Sequence, residues 1–199
     1  MATYKSIAYD QALTTGGAEI LISSQTASGD GTLDFTSGID STYKEYIFKF
    51  IHMHPATNDA DFSFNGSTDG GSNYNVTKTT SFFTAYQKED GSGGTLEYNA
   101  GGDLAQSTAF QKILSGGSGG TGNGGDECCS GFLHLFNPSG TTFVKHFMST
   151  GNDYQNGDYC MQNLVAGYFN TSSAVDAIQF KFDTGNVDLG TIKLYGVIS

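Results

Sequence analysis

Four histidines, three cysteines and two clusters of oxygen-bearing side chains are the residues of this chain best suited to chemistry. His52 and His54 lie two apart in an aromatic run, so on a strand both would point to one side, as a pair of metal ligands does. His134 and His146 flank a turn and fall on its two arms. A zinc site needs three or four ligands and a second shell to orient them. No HExxH or paired CxxC pattern supplies the missing ligands, so these side chains read as half-buried histidines of aromatic strands. Cys128 and Cys129 follow Asp126 and Glu127, and two carboxylates oppose the electropositive setting that a reactive thiolate needs. Neighbouring cysteines rarely meet disulfide geometry. Free thiols are therefore the simple reading, with a bridge from Cys128 or Cys129 to Cys160 left open.

Other catalytic patterns fail on their own terms. No G-x-S-x-G elbow is present, and the glycines of 116–125 carry no G-K-[ST] to cradle a phosphate. Glycosidase clefts commonly use tryptophan platforms, and the chain has no Trp. Asn58–Asp61 and Asn152–Asp158 gather the oxygen ligands that calcium prefers, yet neither matches the twelve-residue EF-hand loop. Asn, Asp and Gly are also what turns are made of, and plain turns are the reading adopted. No catalytic residue, cofactor-binding residue or metal ligand is assigned, and no cofactor is expected.

The elements that would position these residues are strands. Glu45–His54 alternates so that Tyr46, Phe48, Phe50 and His52 share one face and Ile47, Lys49, Ile51 and Met53 the other, which predicts a central strand. Phe132–Phe136 and Phe143–Phe147 predict a hairpin closed by Asn137-Pro138-Ser139-Gly140, where Pro presets the second turn position. Further runs at 19–23, 32–35, 61–65, 75–79, 81–87, 95–98, 164–169, 177–182 and 190–197 bring the expectation to about ten short strands between glycine- and asparagine-rich turns. Asp103–Leu114 is the one helix candidate, with Asp103 as its cap. The fold class expected is all-β: an antiparallel β-sandwich, jelly-roll-like, with at most one short helix. Residues 1–17 read as an N-terminal arm and 18–199 as a single domain, with a glycine-rich surface loop at 115–131.

Charge narrows the function. The chain of 199 residues carries 20 acidic and 9 basic side chains, a net charge of −11, and every basic residue is Lys. Without Arg, an acidic body is poorly matched to the phosphate backbone of DNA or to an anionic membrane. Met1–Ser6 has no apolar signal core, which predicts a protein made in a cytoplasm or released by lysis.

Several stretches carry a resemblance. Leu33–Asp40, Tyr46–Thr57, Asp69–Asn75, Leu133–Ser139, Phe143–Phe147 and Gly190–Val197 resemble small uncharacterised virion proteins of marine tailed bacteriophages. The likeness runs from about residue 19 to the end. It implies a virion structural protein, most simply a capsid decoration or cement protein on the outside of the shell, assembled in the host cytoplasm. Its partners would be the major capsid protein and copies of itself, with a trimer as a natural arrangement. The alternative is a tail fibre or receptor-binding protein in which Tyr74, Tyr154 and Tyr159 contact host glycans. A carbohydrate-binding module and an enzyme follow at a distance.

Overall fold

Strict alternation builds most of this protein. Along Lys145–Gln155 every second side chain is buried and those between face outward, as the two-residue period of a pleated strand requires. The computed structural model describes residues 18–115 and 119–198. The arm expected over 1–17 lies outside them.

The described residues form twelve strands in chain order: β1 (Glu19–Asp30), β2 (Leu33–Phe35), β3 (Glu45–Pro55), β4 (Phe62–Ser67), β5 (Lys78–Lys88), β6 (Gly94–Tyr98), β7 (Gln111–Leu114), β8 (Cys129–Phe136), β9 (Lys145–Gln155), β10 (Tyr159–Phe169), β11 (Ala177–Phe182) and β12 (Val187–Val197). Eight form one sheet in the order β1-β12-β3-β8-β9-β10-β5-β6, and four form a second in the order β2-β11-β4-β7. All pairings are antiparallel. The two sheets pack as a β-sandwich, and the chain visits each strand of the small sheet from the large one and then returns. The described residues contain no helix, and so none long and apolar enough to cross a membrane.

Aromatic rings fill the space between the layers. Phe180 on β11 lies within about 6 Å of Phe35, Phe48, Phe50, Phe62 and Phe64, centroid to centroid. Each buried ring contributes roughly 1.5–3 kcal/mol of burial. Phe64, Phe147 and Phe169 extend the cluster towards β9 and β10. As expected, β3 is an interior strand of the large sheet.

Four expectations give way to tertiary structure. Asp103–Leu114 is not a helix: 99–110 is irregular and Gln111–Leu114 is a strand. This segment wraps the edge between the sheets and gives its backbone to β5. Lys78 exchanges backbone hydrogen bonds with Ser107, and the Thr80 amide donates to Leu104. Side chains satisfy what remains: Lys78 Nζ donates to the Ala109 carbonyl, Gln111 to Gly102, and Asn65 to Thr108. A helix would forfeit these contacts, so the weak helical spacing loses.

The glycine-rich stretch is shorter than 115–131 and partly packed. Gly120, Thr121 and Gly122 are buried, Thr121 bridges to Ala60 and Gln155, and Cys129–Gly131 already belongs to β8. The hairpin forms, but in another register. Leu135 pairs with Phe147, so the loop runs over residues 137–144 and leaves Phe143 exposed. Finally, β3 changes phase. His52 adopts φ +51°, the pairing with β8 shifts between Phe50 and Met53, and this bulge turns His52 out and Met53 into the core.

Candidate functional site

An eight-stranded sheet laid over a four-stranded one leaves its far face without a second layer, and that face is the candidate site. Its outward positions on β8, β9, β10 and β5 are every second residue of each strand. They are Ser130–Phe136 on β8, His146–Tyr154 on β9, Cys160–Tyr168 on β10 and Thr79–Gln87 on β5. None of these outward residues is Asp, Glu or Lys. In a chain of net charge −11, this is a broad neutral patch.

An apolar row crosses the patch among uncharged polar side chains. One register row sets Phe132 beside Thr150, Leu164, Phe83 and Tyr98 on successive strands. The neighbouring row holds Met148, 56% exposed, and Leu164 itself is 45% exposed. Monomeric proteins rarely leave a contiguous apolar patch of this kind uncovered. Shallow grooves flank the row where side chains are small. One is lined by Ala85, Ser130, Thr150 and Gln162, the other by Ser81, Ala166, Met148 and Tyr168. Charge returns at the border with β3, where Glu45 meets His134 Nδ1 at 2.5 Å and Glu19 pairs with Lys49 at 2.5 Å. A neutral, aromatic- and methionine-bearing centre inside a charged rim is the anatomy of a protein interface.

The histidines divide between two places. His134 lies on the outward face, stacked with Phe136, and His146 lies edge-on to Tyr168. In the observed register His134 is opposite Met148, so the two histidines do not pair. His52 and His54 line a separate cleft with Cys128, Asp126, Glu127 and Asp188. There His54 Nε2 lies 3.1 Å from the Gly124 carbonyl, and its Nδ1 lies 3.4 Å from Asp188. Among the described residues no group of three or more His, Cys, Asp or Glu side chains is arranged to hold a metal.

The cysteines are all free. Cys129 points into the core, and burial pushes its thiol well above the usual range. Cys160 projects from the opposite face of the sheet, so the bridge between those two left open by the sequence does not form. The two oxygen-rich clusters are engaged internally. Asn58 and Asp59 accept from the amides of Asn123 and Gly120, and Asp61 pairs with Lys112 at 2.5 Å. Asn152–Gln155 is not a turn but the end of β9, where Asn152 and Asp153 face opposite sides. Of the tyrosines proposed for glycans, Tyr74 has a buried hydroxyl and Tyr159 packs edge-on to Tyr86. Tyr154 stands on the outward face.

Two buried carboxyls stand out electrostatically. Burial raises Asp153 to about 7, opposed by hydrogen bonds from Ser115 and Asn163. Burial also raises Asp61 to about 6, opposed by Lys112. Asp153 faces inward from β9, and Asp61 ties the segment before β4 to β7 through Lys112.

The sequence singled out His134, His146 and Cys160 but not the face they share, because that face is defined by a lack of charge and not by a reactive group. Its signal was a gap in charge: between Cys128 and Val175 only Lys145, Asp153 and Asp158 are charged, and the first two are buried. No protein-family model matches the chain, and no curated protein is similar to it.

Proposed function

We propose that this chain is a structural protein of a tailed-phage virion that decorates the outside of the capsid shell and stabilises it. The observation that carries the reading is the wide uncharged face, crossed by exposed apolar side chains, on an otherwise strongly acidic sandwich. Such a face is costly to leave in water and matches the composition of protein interfaces. The likeness of Leu33–Asp40, Tyr46–Thr57 and Gly190–Val197 to small virion proteins supports the virion setting. In this reading the sandwich works as a rigid body. Its sheet face binds protein, while a sheet edge or the arm engages the shell.

Quantitative mass spectrometry of purified particles tests the proposal. The expected result is hundreds of copies per virion, and particles lacking the protein should release their genome at lower temperature. A stoichiometry of a few copies would place it elsewhere in the particle, and absence from particles would end the reading.

A further inference from the structure

We infer that the uncharged face is covered by the same face of a second copy, so that the protein forms a back-to-back pair about a twofold axis. The inference rests on the reading above that this face binds protein, and it names the occupant. Two bodies of net charge −11 repel, and like charges placed directly opposite each other cost several kcal/mol. A surface free of charge can be pressed onto its own copy without that penalty. The outward positions of β8, β9, β10 and β5 form such a surface. A different partner selected for this acidic protein would be expected to meet it with basic side chains, and here it would find no carboxylate.

Shape and size agree. A flat patch meeting its own copy makes an isologous contact, in which every ridge must find a groove on the same surface. The row of Phe132, Leu164 and Phe83 is such a ridge, and the shallow channels beside it, where Ala85 and Ser130 on one side and Ser81 and Ala166 on the other are small, are such grooves. Strands β9 and β10 are eleven residues long. With strands about 4.8 Å apart, the four from β8 to β5 present roughly 600 Å², the low end of what each partner of a specific complex buries. Two antiparallel sheets stacked in this way would place the pair's new core about 10 Å thick between them.

Sedimentation velocity of the full chain tests the inference, using the wild type, two face variants and one control. The wild type is expected to sediment as a dimer at micromolar concentration. Leu164→Glu and Met148→Glu each place carboxylates near their own copies and are expected to weaken the pair at least about 100-fold. Leu189→Glu, equally exposed but beside the His52 cleft, is expected to leave it intact. A second readout needs no change on the face: peroxide oxidation of Met148 in the wild type should slow as protein concentration rises. A monomer, a trimer, a pair that survives both face variants, or a Met148 rate independent of concentration overturns the inference. The virion reading fails separately, by absence of the protein from particles, whatever its state in solution.

Discussion

Asp153 shows how one residue sets a pH response. Its carboxyl accepts from the Asn163 amide at 2.8 Å and from the Ser115 hydroxyl, but burial dominates and raises it from 3.8 to about 7. Between those values the folded chain holds a proton that the unfolded chain has released. Stability is therefore greatest below the unfolded value and falls as pH rises towards about 7. Lys78 works in the opposite sense: burial lowers it from 10.5 to about 7, so above about 7 the unfolded chain binds the extra proton and stability rises with pH. Together the two groups predict a stability minimum near neutrality. Asp153→Asn is expected to flatten the fall of melting temperature on the acid side, and Lys78→Met the rise on the basic side, both read by thermal denaturation at several pH values. Neither shift was legible in the sequence. Lys145 and His146 read alike as polar residues of a strand and Asp153 as part of a turn, and only the pleat of the folded strand decides which of them is buried.

At the scale of elements, the strands were legible and their phases were not. Alternating aromatics marked β3 and β8, and a terminal alternation marked β12. The bulge at His52 was invisible, because a residue at φ +51° leaves no trace in hydropathy. That conformation costs a branched residue about 1–2 kcal/mol. His52→Val is therefore expected to lower stability by about that amount, whereas His52→Gly should match or exceed the wild type, as measured by urea unfolding. Deleting His52 would remove the extra residue and restore plain alternation, with Phe50 in, Ile51 out and Met53 still in the core. The wrap at 99–110 argues similarly from close packing. A Cβ at Gly102 would fall 2.1 Å from Phe82 Cδ1, so Gly102→Ala is expected to destabilise by roughly 1–3 kcal/mol. Calorimetry would show this as a lower melting temperature.

For the whole molecule, the distribution of charge matters more than its sum. Net −11 opposes any self-association, and salt screens that repulsion over about 10 Å at 0.1 M. The pair is therefore expected to tighten modestly between low and moderate salt, by sedimentation, whereas a complex held by opposite charges would loosen. Composition and alternation alone were enough to establish an all-β antiparallel sandwich, and the lack of Arg only set an expectation of poor affinity for polyanions. Glycine-rich turns, a two-residue period and a lack of Arg are local properties that survive without knowledge of the fold. Only tertiary structure decided that the large sheet exceeds the small one, which strand faces look outward, and that these outward positions share the absence of charge. Those properties depend on which distant strands become neighbours, such as β5 with β10 and β3 with β12, and on bulges that reverse a face midway along a strand. Neither is written in any local stretch of the chain.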